Sequence, residues 1–511
     1  MFAKDALDDI KQWRLKATSP HHQLDWRWVE RYRQLASFDS YWWLAPAGPF
    51  TEEEQQQWDQ LYSHSLDEAT KERLGALIAQ SRERDLLTAI AEQHEPRLNY
   101  PAIAIEEVRS RIAGLLQLDT EIQQHEPNAI VRRLYHDTIE EEIDFLRLIE
   151  ATYEGNSEKF WEYNLRLNPP PTPEEMHYAL SRLRQIVLRG LQYSETMDVS
   201  QKIIKYLREK CRFALEQSSD EEGVLEGSKD TTASSSQRQR IVSIQTAKRF
   251  FEAILQEYGY EGWQVVIDPN ATSARIEQGL RQMFLTDRPL SVEQIRHYIS
   301  HELAGHIARC MVGEHSLLGL LGIHTKNSLE TEEGMAVYYD RQTAILDGQA
   351  YNDTAIWSAT LATGLASGVI SSPQTFLSLF SFFEAFYLLH QLLQRLNADV
   401  QKAQEAARRH ALAMCLRIYR GVPNLERAGV YYTKDAHYLR GLRKIEQAVA
   451  QDETVLDRLA VGVVALDRLS DLQELGIVTT PQSLRKLAND PELDAYILSF
   501  EESENHSSKR E

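Results

Sequence analysis

Apolar residues recur at three- and four-residue spacing through residues 51–80, 104–124, 130–153 and 173–193, the mark of helices with one buried face. Pro169, Pro170, Pro171 and Pro173 punctuate the chain and predict a turn ahead of the fourth helix. Beyond residue 240 the texture changes. Residues 263–268 (WQVVID) and 281–286 (RQMFLT) are short β-rich runs. A helix start follows: Ser291 can cap with Gln294 three positions on, and Leu290 can staple onto Ile295. Ile295, Tyr298, Ile299, Leu303 and Ile307 continue that helix as an apolar stripe. Helical patterning returns from about Phe376 to Val449, with a break near Gly421 to Gly429. The pattern predicts an α+β fold, predominantly α-helical, in which a small β-sheet accompanies a long central helix.

This patterning divides the chain into an N-terminal helical region (1–170), a helical connection (171–216), a polar linker or loop (217–240), a catalytic region (241–475) and a C-terminal extension (476–511). The linker, EQSSDEEGVLEGSKDTTASSSQRQR, has few large apolar residues with which to build a core. The stretch 354–393 is the most apolar, but Ser, Thr, Gly, Pro373 and Glu384 interrupt it, so it reads as buried core helices rather than a membrane span. Trp26, Trp28, Trp42 and Trp43 cluster near the start; aromatic packing within the helical region is favoured over a binding surface.

Composition narrows the function classes. The 511 residues carry 56 Lys and Arg against 76 Asp and Glu, a formal net charge of -20. Phosphate-bearing partners would be repelled, which argues against nucleic acid and against an anionic membrane surface. Three cysteines without a CxxC fit neither a disulfide framework nor a thiolate metal site. The first residues lack the apolar core of a secretory signal, so the expected setting is cytoplasmic.

The chemistry concentrates at HELAGH, residues 301–306. Two histidines and a glutamate on one helix suggest a metalloprotease, yet the histidines are five apart rather than four. In an α-helix such residues diverge by about 140°. A π-bulge would return them to one face, and Gly305 has the conformational latitude to absorb it. A catalytic zinc also needs a third protein ligand. Downstream, LETEEGMAVYYD offers Glu330, Glu332 and Glu333 at the head of another helical run. His297, His315 and His324 are assigned to the surface or to support of the ligands.

HELAGH followed by TEEGMAVYYD resembles the motifs of the microtubule-associated tyrosine carboxypeptidase family, whose bacterial relatives are known by a Q-E-G-L-A motif. Ser273-Ala274-Arg275, CLRIYRG (415–421) and YTKDAHYLRGL (432–442) fit the same pattern. The similarity spans about residues 70–450, and the first and last 50 residues show none. The chain looks like one of the bacterial-type relatives, with Met335 where the family has leucine. The resemblance implies a zincin-like catalytic domain holding one Zn2+ on His301, His306 and Glu333, with Glu302 as general base. It also implies removal of a C-terminal, tyrosine-like residue from a peptide or protein tail. For that reaction Tyr438 or His437 is the expected oxyanion donor, and Arg275, Arg417 and Arg420 the expected binders of the terminal carboxylate. A zinc endopeptidase with the same metal site, or a non-catalytic helical regulator, is the competing reading.

Overall fold

The computed structural model describes residues 23–36, 43–44, 52–53, 56, 68–100, 103–211, 240–260, 262–268, 273–346, 348, 351–394, 399–478, 487, 490 and 492–507. Trp42 and, apart from Arg240, the expected linker lie outside the described residues. Helices α1 (Val29–Leu35), α2 (Glu68–Ala91), α3 (Ile105–His125), α4 (Ala129–Tyr153), α5 (Ser157–Leu167), α6 (Pro173–Gly190) and α7 (Ser194–Cys211) form the first half. Their ends follow from local chemistry. The Asn128 side chain accepts the backbone N–H groups of Ile130 and Val131 at the head of α4. At α6, Thr172 and Glu175 form a reciprocal capping box just ahead of Pro173, a residue suited to the first helical turn. That cap is the turn the prolines predict.

Two small sheets follow. β1 (Ile241–Val242) precedes α8 (Ile244–Glu257), and β2 (Gln264–Asp268), β3 (Arg275–Glu277), β4 (Gln282–Thr286) and β5 (Leu290–Ser291) come next. β4 is central, parallel to β2 and antiparallel to β3, so β3 lies on an edge; β1 pairs antiparallel with β5. Val265, Met283 and Leu285 are buried. The chain then enters α9 (Val292–Tyr298) through the capping box that Ser291 and Gln294 form.

A π-helical segment (Ile299–Ile307) continues α9 and runs on into α10 (Ala308–Glu314). The remaining helices are α11 (Ser328–Leu346), α12 (Thr354–Ser367), α13 (Phe376–Gln394), α14 (Val400–Ile418), α15 (His437–Gln451), α16 (Val455–Leu459), α17 (Leu469–Glu474) and α18 (Leu493–Ser507). By length and composition α13 could cross a bilayer, but it packs against α7 and α14 and buries Leu379, Phe380, Phe383 and Phe386. The fold is therefore predominantly helical with small sheets, as the hydrophobic pattern predicts.

One continuous apolar core joins residues from Trp28 to Ile497. Two buried charges stitch distant segments to it. Asp25 accepts the backbone N–H groups of Gly319 and Leu320 and the Tyr135 hydroxyl, all at 2.8 Å. Arg309, on α10, donates to the carbonyls of Gly462 (3.0 Å) and Val464 (2.9 Å) from inside the core. Trp28 is buried and donates to Glu126 at 2.7 Å, while Trp26 is half exposed.

Candidate metal centre and its surroundings

The five-residue spacing of His301 and His306 is accommodated because Ile299–Ile307 winds as a nine-residue π-helix. Wider winding places residues five apart about one turn from each other. The two imidazoles accordingly share a face, with ring centroids 5.3 Å apart. The distortion is longer than the single bulge that the spacing requires. Gly305 also answers to a different need from the one inferred from sequence. A β-carbon on it would lie 2.7 Å from the Ala336 Cβ and 3.0 Å from the Ala336 Cα, so its smallness lets α11 press against the π-segment. On the opposite side of α11, a β-carbon on Gly334 would meet the Gly441 carbonyl carbon at 2.3 Å. α11 is thus clamped between the π-segment and α15.

That clamping brings Glu333 to the histidines. His301, His306 and Glu333 each offer a ligand atom, and these atoms all lie within 4.8 Å of one another. Among the described residues this is the one group of histidine and acidic side chains arranged to hold a metal ion. Two neutral nitrogens and a carboxylate are a donor set that suits a borderline cation such as zinc. The neighbouring acids are engaged elsewhere. Glu332 Oε1 lies 3.0 Å from His306 Nδ1, and Glu330 pairs with Lys444 and His437. Geometry therefore separates three glutamates that sequence leaves equivalent before the resemblance is considered.

The histidines are backed by carboxylates. Asp340 Oδ2 stands 2.8 Å from His301 Nδ1, and its Oδ1 is 2.9 Å from His297 Nδ1. Burial opposes charge on the His301 imidazole, but Asp340, Glu302 and Glu333 outweigh it and raise its pKa to about 10. Burial likewise works against charge on His306, and Glu332 and Glu333 raise its pKa. A metal ion binding through these imidazoles competes with the protons that the surrounding acids favour on them. Glu302, adjacent to His301 in the chain, is buried.

Beside Glu333 lies a cationic group. Arg417 Nε is 2.7 Å from Asp435 Oδ2, and its guanidinium lies 5.3 Å from the centre of the Tyr438 ring. Burial depresses the Lys434 pKa; Glu333 and Asp435 oppose that shift, while Arg420 and Arg417 reinforce it. Burial, and the charge of Glu333 behind it, push the Tyr438 phenol well above its ordinary pKa, so it stays a proton donor. Lys434, Arg417 and Arg420 thus gather around Asp435, close to the Glu333 carboxylate. The signal that could have found Lys434 is its place in the KDAHY motif, one residue from the acid that anchors Arg417.

Two other expected site residues are placed differently. Arg275 is held in the sheet, 2.9 Å from Asp268 and 3.4 Å from Glu277, with its guanidinium over the Phe284 ring at 4.0 Å. Those contacts do not bring it to the group around Asp435. His437 is buried, with Nε2 2.7 Å from the Asn168 side chain and Nδ1 3.4 Å from Glu330, whereas Tyr438 faces Glu333. A cavity of about 260 Å³ adjoins the site, and Glu332, Lys434, His437, His324, Glu142 and Tyr432 are among its lining residues.

Residues 399–506 match the family model of the microtubule-associated tyrosine carboxypeptidases. The resemblance read from the sequence motifs is supported by this match. It contains Arg417, Arg420, Lys434, Asp435 and Tyr438, and it begins downstream of the histidine helix and Glu333. It also runs past residue 450, into the part of the chain where the motifs alone show no similarity. No curated protein matches the chain.

Proposed function

We propose that this protein is a zinc-dependent carboxypeptidase that removes a single C-terminal residue, tyrosine-like in character, from a flexible peptide or protein tail. The observation that carries this reading is the convergence of His301, His306 and Glu333 near the cations Lys434 and Arg417, both of which feel the charge of Glu333. The match of residues 399–506 to a tyrosine carboxypeptidase family supports the same reaction class.

Zinc held by His301, His306 and Glu333 would supply an acidified water and a polarised scissile carbonyl. The protein's own groups do the rest. Glu302 accepts the proton of the attacking water and delivers it to the departing amine. Tyr438, kept protonated, donates a hydrogen bond to the oxygen that gains negative charge. Lys434, with Arg417 and Arg420, holds the terminal carboxylate of the substrate through charge-assisted hydrogen bonds. Arg275, which pairs with Asp268 and Glu277 in the sheet, is given no role in this reading.

A pair of peptides ending in Tyr, one a free acid and one an amide, tests the proposal by mass spectrometry alongside metal analysis. Loss of one residue from the acid alone, with about one zinc per chain, is the expected result. Cleavage of both peptides, or cuts at internal bonds, would make the protein an endopeptidase. Absence of any bound transition metal after reconstitution with zinc would sink the catalytic reading.

A further inference from the structure

One helix faces the histidine pair with more than a ligand. On α11, Glu332, Ala336 and Asp340 succeed one another at four-residue spacing, so each is rotated by only about 40° from the last. Glu333 borders the same stripe. The stripe turns toward the π-segment, because Ala336 is the residue against which Gly305 packs. On one side of that contact Glu332 reaches His306 Nδ1 at 3.0 Å; on the other, Asp340 reaches His301 Nδ1 at 2.8 Å. Each histidine therefore has its Nδ1 occupied by a carboxylate from α11, which leaves Nε2 as the nitrogen able to meet Glu333.

Accordingly, we propose that Asp340 and Glu332 are positioning residues that fix the tautomer and ring orientation of His301 and His306, so that α11 supplies one metal ligand and orients the other two. The inference rests on the zinc reading above and extends it to residues that never touch the ion. An imidazole N–H that donates to a carboxylate is locked as the tautomer whose other nitrogen is a lone-pair donor, and its basicity rises. Asp340 is the stronger of the two supports. Its side chain is 2 % exposed against 15 % for Glu332, so water competes less for its oxygens. Its other oxygen, Oδ1, lies 2.9 Å from His297 Nδ1. The short reach of an aspartate suffices because Gly305 lets the two helices touch.

Metal affinity of the full-length protein, measured by competition with a chromophoric chelator, tests this without reference to turnover. Asp340→Asn and Glu332→Gln should each weaken zinc binding by about 10- to 100-fold, the usual cost of removing such a partner. The cobalt-substituted variants should show shifted visible bands, since the ligand field senses imidazole orientation. Glu330→Gln is the control: the same helix carries it, but its partners are Lys444 and His437, so affinity and spectrum should stay as in the parent. Thermal melts of the metal-free variants separate loss of support from loss of fold. If Asp340→Asn does not fold, Glu332→Gln, at the more exposed position, carries the test. A parent that binds zinc while both variants bind it equally well, with an unchanged cobalt spectrum, would overturn the inference and leave the zinc reading intact. A parent that binds no zinc would overturn both.

Discussion

Gly305 and Ala336 are in direct contact across the π-segment and α11, with no room between them for a methyl group. Gly305→Ala should therefore force the two helices apart. The overlap costs about 1–3 kcal/mol, offset by roughly 1 kcal/mol of improved helix propensity. The larger effect falls on geometry, because Glu333, Glu332 and Asp340 all retreat from the histidines together. The expected outcome is a modest loss in melting temperature with a disproportionate loss of zinc affinity, read by chelator competition.

Glu302→Gln should keep its metal and lose its turnover. The substitution leaves His301, His306 and Glu333 in place and removes the group assigned to proton transfer. General acid–base assistance of this type contributes about 10²- to 10⁴-fold. Metal analysis and a peptide-ladder assay on the same sample check both halves of the statement.

Lys434→Met and Arg417→Ala should each depress kcat/KM on a free-acid peptide without releasing zinc. Loss of a charge-assisted bond in a desolvated site costs about 2–5 kcal/mol, or roughly 30- to several thousand-fold in rate. The amidated peptide, which lacks the charge these residues would bind, should respond little. Equal effects on acid and amide would remove both side chains from carboxylate recognition.

A pH signature is expected at His324. Burial opposes its charge, yet Glu141 and Glu142 raise its pKa to about 10, and its Nε2 lies 2.8 Å from the Tyr32 hydroxyl. The folded value stands above the ordinary 6.5. Its stabilising contribution is therefore complete below about pH 6.5 and is lost as pH rises towards 10. Between those limits the melting temperature of the parent protein should fall more steeply than that of His324→Gln. Parallel curves would exclude the pairing as a source of stability.

Arg440 reaches from α15 to Glu175 with both Nε and Nη2 at 2.9 Å and also donates to the carbonyls of Pro169 and Pro170. The Arg440 and Glu175 side chains are 9 % and 7 % exposed. Arg440→Met leaves Glu175 buried without its cation, which should cost about 3–5 kcal/mol. Denaturant unfolding of the full chain measures it. Arg440→Met with Glu175→Gln should recover part of the loss.

Much of this was legible in the sequence wherever a local rule decides the outcome. Ser291 with Gln294 marks a helix start because both partners lie within one turn. Residues 263–268 and 281–286 show as strands because β-branched and aromatic residues concentrate there. β3 was missed as a strand: it is three residues long, and pairing with β4 rather than its own composition holds it extended. At the site, two histidines and a cluster of glutamates announce metal chemistry, but their division of labour is tertiary. Glu332 and Glu333 differ only in which way a helix is turned, and that turn is fixed by Gly305, Gly334 and Gly441 at close helix contacts. Arg275 and Arg417 look alike in sequence; the fold sets one beside Asp268 and the other beside Asp435.

The guanidinium of Arg309 sets a boundary on how this chain can be divided. It projects from α10, just beyond the histidine helix, and its bonds end on the carbonyls of Gly462 and Val464, inside the stretch that the family model covers. Cutting the polypeptide anywhere between would strand a charge in the core on one fragment and open carbonyls on the other. The region recognisable by its family pattern is thus no detachable module. Separately expressed fragments, residues 1–398 and 399–511, should each be insoluble alone and recover a folded complex only when co-expressed.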